Sequence, residues 1–359
     1  MTPIDISAIY DEIRCMHKES GEEPSQREWV AKYKHGVGSL RPYGGFDKVR
    51  RDAIESMNSD WEAEQLPDDD ISIEELVEHR KKQFERKKAY EEASKLQTIR
   101  VKIDGPIGVA HLGDPHVDDD GTDISQLEHD KNVVNATEGM FAGNVGDTTN
   151  NWCGRLARLY AEQSTSAEQA WKLAEWFLGG LDLLYLIAGN HDLWSGSGDP
   201  LKWIKTRKTI YNKSQVRIGL QFPNKREVRI NARHDFTGFS MWNPVHGASK
   251  AAQKGWSDHI LVCGHKHKSG YTAVKSPMNG TLSHCIQVAS YKIYDAYAKT
   301  NDFPDQHISP HGVTIINPYA DKERNLVQFF WDIDVASDFL NWLRKRWASG
   351  GSTKERRGK

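Results

Sequence analysis

Leu186-Ile187-Ala188-Gly189-Asn190-His191-Asp192 is the stretch whose reading decides the fold. An apolar run reaches a glycine, and an amide, an imidazole and a carboxylate follow without a spacer. The pattern predicts a buried strand that delivers polar side chains to its carboxyl end, where open α/β sheets place their chemistry. Gly-Asn after a strand is also ordinary turn composition, so this stretch alone fits both readings. The other strand ends decide between them.

A second apolar run, Ile107 to Gly113, ends at Asp114-Pro115-His116. Residues two apart on a strand share a face, so this carboxylate and imidazole make a bidentate metal platform. Gly139 to Gly146 is small and apolar and stops at Asp147. Glu227 to Asn231 alternates as a strand and closes at Arg233-His234-Asp235, and His259 to Cys263 ends at Gly264-His265-Lys266-His267. Helical patterns over Trp152 to Gln163 and Ala167 to Leu178 separate the middle strands, the alternation of a βαβ layout. Five strand ends thus carry five polar clusters. His246 competes with His234 for the fourth of them; His234 is preferred because it ends a strand, whereas His246 precedes a helix.

Taken in order, Asp114-Pro115-His116, Gly146-Asp147, Gly189-Asn190-His191-Asp192, His234 and Gly264-His265-Lys266-His267 resemble the signature of the calcineurin-like metallophosphoesterase superfamily. The resemblance covers Ile99 to Asn317. His234-Asp235-Phe236, followed by Trp242-Asn243-Pro244, is similar to phage-encoded members. The resemblance implies an α/β sandwich of two mixed β-sheets flanked by helices. It also implies a centre for two divalent metal ions, Mn²⁺ first, with Zn²⁺ or Fe as alternatives. One ion would take Asp114, His116, Asp147 and His267, and the other Asp147, Asn190, His234 and His265. A mixed nitrogen and oxygen donor set without thiolate suits these metals. Such a pair clamps a phosphate and holds a bridging hydroxide for in-line attack. His191 is then expected beside the metals, assisting the leaving oxygen. Asn150 stands where many members carry an aspartate that orients this histidine, and it is expected to accept from the imidazole through its side-chain oxygen.

The activity implied is hydrolysis of phosphodiesters, with DNA or RNA as the leading substrates. The alternatives are a phosphomonoesterase for small molecules or proteins, a cyclic nucleotide phosphodiesterase, and a non-catalytic scaffold. Arg155 and Arg233 lie close in sequence to ligands and are candidates for holding substrate phosphate. Asp118-Asp119-Asp120 with Asp123 reads as a solvated loop, and His111, His129, His259 and His284 as structural.

The 359 residues allow one large domain and smaller additions. The expected division is a small helical domain over 1–58, an acidic linker and charged helix over 59–98, the metallophosphoesterase domain over 99–334, and a C-terminal helix with a basic tail over 335–359. Ser25 with Glu28 forms a capping box in the first of these, and its short helices and tight turns resemble helix-turn-helix modules. Pro42 counts against a standard recognition helix there. A net charge of −2 and a pI near 6.7 give no global basic field. Four cysteines without CxxC spacing point to a reduced, cytoplasmic setting and argue against zinc–thiolate sites. No signal peptide is read at the start, and no apolar run is long enough to span a membrane.

Overall fold

The structure is a computed structural model that describes residues 5–58, 70–194, 198–295, 299 and 309–350. The expected acidic linker and basic tail fall mostly on residues 59–69 and 351–359, outside the described residues. The chain folds as two units, Met1–Glu92 and Ala93–Lys359.

In the first unit, α1 (Ile6–Ser20), α2 (Gln26–Tyr33), a 3₁₀ turn (Val37–Tyr43) and α3 (Phe46–Glu55) close around Ile13, Trp29, Leu40 and Val49. The Ser25–Glu28 capping box starts α2, and Pro42 lies inside the 3₁₀ turn, where an α-helix would have been interrupted. The charged helix α4 (Ile73–Ser94) buries none of its side chains and runs across the division between the units.

The second unit is an α/β sandwich. Its strands are β1 (Gln97–Arg100), β2 (Ile107–Leu112), β3 (Met140–Asn144), β4 (Leu183–Ile187), β5 (Ile210–Asn212), β6 (Gln215–Gln221), β7 (Glu227–Arg233), β8 (Ile260–Cys263), β9 (Gly270–Lys275), β10 (Leu282–Gln287), β11 (His311–Ile316) and β12 (Val327–Phe330). They form two six-stranded mixed sheets, ordered β1-β6-β7-β8-β10-β9 and β12-β11-β2-β3-β4-β5. In the second sheet β2 to β5 are parallel. Parallel neighbours need crossovers, and these are α5 (Ile124–Ala136) and α6 (Ala167–Gly179). The stretch expected as a helix over Trp152–Gln163 is instead 3₁₀ from Gly154 to Glu162.

Strand alternation explains the layers. On β2, Ile107 and Val109 face the other sheet with Ile218, Ile230 and Val262, whereas Ala110 and Leu112 face helices. The helices are α5, α6 and α9 (Ile333–Ala348) on one outer face, with α8 (His246–Gln253) on the other; a single turn, α7 (Leu201–Ile204), follows β4. Both faces of β2 are covered, so the strand reads as a continuous apolar run. β5, β6 and β9 carry no clear strand pattern in the sequence: β5 is only three residues long, and β9 alternates half-buried with exposed residues. Among the described residues no helix is long and apolar enough to cross a membrane.

His111 breaks the apolar run of β2 and points into the inter-sheet core. It is fully buried, with its ring nitrogens 2.7 Å from the Tyr185 hydroxyl and 2.9 Å from that of Thr314. Burial drives its pKa down to about 3 from an ordinary 6.5. The unfolded chain takes up this proton below pH 6.5 and the native chain only near pH 3. The stabilisation from the neutral ring is therefore complete above 6.5 and is lost as pH falls toward 3. Urea titrations of His111→Gln at pH 7 and pH 5 should show a smaller loss of stability on acidification than the parent; an equal loss would remove His111 from the account.

Candidate metal centre

Five strands from both sheets, β2, β3, β4, β7 and β8, end at one place. Each delivers its residues through a turn that the local sequence dictates. Gly146 sits at φ 119° and Gly189 at φ 75°, conformations that side chains rarely adopt. A Cβ on Gly146 would come within 2.6 Å of His234 Nδ1, and one on Gly189 would run into the Asp147 carboxylate. His116, Asp147, Asn151, His265 and His267 have left-handed backbone at φ between 41° and 68°; beyond them only Lys34 and Lys225 share it among described non-glycine residues. Such strain concentrates where surrounding structure holds a functional geometry.

Asp147 lies at the middle. It is 1 % exposed, and its Oδ1 accepts the His191 backbone N–H at 2.9 Å. Its other oxygen is 3.2 Å from His234 Nε2 and 3.9 Å from His191 Nε2. On one side stand His234, Asn190 and His265: His234 Nε2 is 2.8 Å from Asn190 Oδ1 and 3.0 Å from His265 Nδ1. The Nδ1–H of His234 donates to the Val145 carbonyl at 2.9 Å; pairing with Asp147 outweighs burial and raises the ring pKa to about 9, so Nε2 would ligate by giving up the proton it holds toward Asp147. On the other side lie His116, Asp114 and His267. Asp114 Oδ2 is 3.6 Å from His267 Nε2 and accepts the His265 backbone N–H at 2.5 Å. Asp147 belongs to two tight donor groups, with His116 and His191 and with His234 and His265.

The donor chemistry fits divalent cations. Both ring nitrogens of His116 and Oδ1 of Asp114 are buried without a hydrogen-bond partner, an arrangement that is costly unless something binds there. Burial pushes the His116 and His267 rings down, His267 to about 4, so both are neutral and able to ligate at pH 7. Burial likewise raises the Asp114 carboxyl. For Asp147 burial acts upward as well, but the hydrogen bond and charge of His234 outweigh it and hold the carboxyl below its ordinary range. Cys263, at the end of β8, is buried and bonds to Gln287 at 3.1 Å, outside the donor set.

His191 is positioned differently from the expectation. Its Nδ1–H donates to the backbone carbonyl of Asn150 at 2.8 Å, and not to the Asn150 side chain. The Asn150 amide donates to Asp119 and Gln163, at 2.8 and 3.1 Å. Any residue at 150 offers that carbonyl, so replacing an aspartate by asparagine leaves the orienting contact intact. Burial lowers the His191 pKa, opposed by Asp147. Its ring packs on Trp194 with centroids 3.9 Å apart and meets Trp152 at 5.4 Å. Asp192 takes the Thr148 and Thr149 backbone N–H groups at 3.0 and 3.1 Å, which fixes the loop after Asp147.

Three other expectations change. Arg155 is exposed on the 3₁₀ segment and does not line the cavity over the metal centre; neither does Arg233, which stacks on Phe236 and Trp256. The acidic run is no solvated loop: Asp118 is buried and accepts the Asn150 backbone N–H at 2.7 Å, Asp119 binds Lys292, Asp120 holds Ser164, and Asp123 caps α5. His246 begins α8, and His234 takes the place in the centre. His111, His259 and His284 are structural, the last two bonding to the Arg229 backbone and to Tyr271.

The sequence reading missed Lys266 and Lys292. Lys292 is 4 % exposed, lines the cavity, and lies 2.9 Å from Asp119 and 3.0 Å from Asp295. It follows β10, which runs parallel to β8, so the strand-end logic pointed there as well.

Two mixed six-stranded sheets flanked by helices form an α/β sandwich with these residues gathered at its strand ends. The chain is similar in structure to a conserved uncharacterized protein of Streptococcus pneumoniae TIGR4 described as a predicted phosphoesterase, at 12 % identity over 64 % of this chain and 99 % of that one, TM-score 0.30. It is similar to Vacuolar Protein Sorting 29 from Cryptosporidium parvum, at 14 % identity over 63 % and 98 % of the two chains, TM-score 0.36. A third likeness is to Vps29 of Entamoeba histolytica complexed with Zn²⁺, at 14 % identity over 62 % and 97 %, TM-score 0.31. No family model matches the chain, and no curated protein does.

If Asp147 serves both donor groups, Asp147→Ala should abolish Mn²⁺ binding by calorimetry at both positions. Gly189→Ala should weaken it by about 10–100-fold, as loss of an outer support does. Retention of full affinity in Asp147→Ala would overturn the assignment.

Proposed function

We propose that the chain is a dimetal phosphoester hydrolase acting on phosphodiester bonds, with nucleic acid as the leading substrate and Mn²⁺ as the leading metal. The observation that carries the reading is the single buried carboxylate, Asp147, shared by two groups of nitrogen and oxygen donors. Asp114, His116, Asp147 and His267 would hold one ion, and Asp147, Asn190, His234 and His265 the other. When bound, such a pair supplies positive charge for phosphate oxygens and makes water acidic enough to attack near neutral pH.

The remaining steps belong to side chains of this chain. The Asn150 carbonyl fixes the His191 ring with Nε2 turned toward Asp147. The acid role needs the imidazolium, which burial disfavours and the Asp147 charge favours; in that form the Nε2 proton is placed for transfer to a leaving oxygen. Trp194 and Trp152 flank the ring and keep bulk water from one side of it. The diester preference rests on charge. A phosphomonoester dianion calls for additional cationic anchors, yet neither Arg155 nor Arg233 lines the cavity. Lys266, Lys268 and Lys292 do line it, the first and last of them already engaged by carboxylates, which leaves Lys268 as the lining lysine without one among the described residues. A diester monoanion needs less. DNA or RNA contact by the N-terminal unit belongs to the same proposal.

Two measurements test the reading. With Mn²⁺ present, a bis-aryl phosphate should turn over faster than the corresponding mono-aryl phosphate, and oligonucleotides should be cleaved; a mono-aryl preference would favour the phosphomonoesterase. His191→Ala should lower kcat by about 10²–10⁴-fold for a nucleoside leaving group. It should cost far less for 4-nitrophenolate, which departs without a proton. Equal losses for both leaving groups would remove His191 as the proton donor.

A further inference from the structure

The cavity over the candidate metal centre, about 680 Å³, is walled in part by aromatic rings, with Lys266, Lys268 and Lys292 also in its lining. Trp152 and Trp194 line it together with Phe239 and Pro244. Beyond Phe239 the chain displays Met241 and Trp242 to solvent. Their exposures are 73 % for Phe239, 77 % for Met241 and 90 % for Trp242, in a turn of four residues. Exposed apolar side chains so closely grouped mark a contact surface.

The turn is held in shape. Ser240 Oγ accepts the backbone N–H groups of Trp242 and Asn243, each at 3.2 Å. Lys266, between the two metal-centre histidines of β8's end, reaches across: its Nζ donates to the Gly238 carbonyl at 2.9 Å and pairs with Asp235 at 2.8 Å. The residue that separates two candidate ligands therefore also anchors the aromatic turn. Rings held out by such contacts are presented for something to bind.

We propose that Phe239 and Trp242 are a stacking platform for the bases that flank the scissile phosphate of single-stranded nucleic acid. The inference rests on the phosphodiesterase reading above. A ligand of this cavity must carry a phosphoester for the metal centre and flat apolar groups for the rings, and nucleotides combine the two. Duplex bases are stacked on one another and offer no free faces, so the strand must be single. Stacking on aromatic side chains tolerates every base.

The test uses the full chain in EDTA, so that no metal-dependent cleavage interferes. Binding of a twelve-residue oligothymidylate is compared with an abasic phosphodiester oligomer of equal length and with a duplex competitor. The oligothymidylate should bind at least about tenfold more tightly than the abasic chain, and the duplex should compete poorly. Phe239→Ala/Trp242→Ala should erase most of that preference, while Phe239→Tyr/Trp242→Phe, which keeps both rings, should restore it. Both positions are exposed, so thermal melts of the variants should match the parent. Equal binding of base-bearing and abasic chains, or a preference that survives in the alanine pair, overturns the proposal; the turn would then be a surface for a protein partner. Failure of the parent reading looks different: with Mn²⁺ added, no nucleic acid is cleaved at all. Cleavage without base preference sinks the platform alone.

Discussion

Everything at the centre depends on keeping one carboxylate, Asp147, ionised where water hardly reaches. Burial opposes it, and the chain answers with an N–H from His191 and the ring of His234. Its own backbone N–H is tied to Ala188 at 3.0 Å, which locks the end of β3 to the end of β4. The left-handed turn at Asp147 and the glycine before it exist to aim that side chain back under the strand ends. The two sheets meet over the same point because His234 and the β8 histidines arrive from the opposite sheet. A change in their packing would separate the two donor groups before it unfolded either sheet.

Much of this was legible in the sequence. The apolar runs of β2, β3, β4 and β8 stop abruptly at polar clusters, but Asp114, His116, His265 and His267 lie beyond the strands, where left-handed backbone at the three histidines and not a strand's period sets their directions. What the pattern could not carry was the part played by backbone atoms. The Asn150 carbonyl leaves no trace in residue identity, so the sequence pointed to the Asn150 side chain where the structure uses its backbone. The arginines failed for a related reason. Proximity in sequence to a ligand says nothing about direction, and Arg233 at the end of β7 turns away to the rings of Phe236 and Trp256. Short or half-exposed strands such as β5 and β9 lack enough apolar residues to announce themselves.

The acidic segment Asp118-Asp119-Asp120 shows how charge runs mislead. Composition suggests solvent, yet these carboxylates organise the loops on one side of the cavity: one takes the Asn150 backbone, the next takes Lys292, the third takes Ser164. Lys292 in turn sits between Asp119 and Asp295 and above the Trp152 ring. Polar groups of both signs thus fasten the loops around the candidate metal centre to one another, where apolar packing alone would leave their directions loose.

The grip of Lys266 on the aromatic turn has a consequence for how this protein can change. Its hydrogen bonds go to main-chain carbonyls at Phe236 and Gly238, and its ion pair is with Asp235. An anchor that reads backbone is indifferent to what the tip carries. Residues 239, 241 and 242 can therefore be exchanged, by drift or by design, without loosening the histidine pair next door. The aromatic turn and the histidine pair share a support here, yet the side chains of the turn can diversify separately.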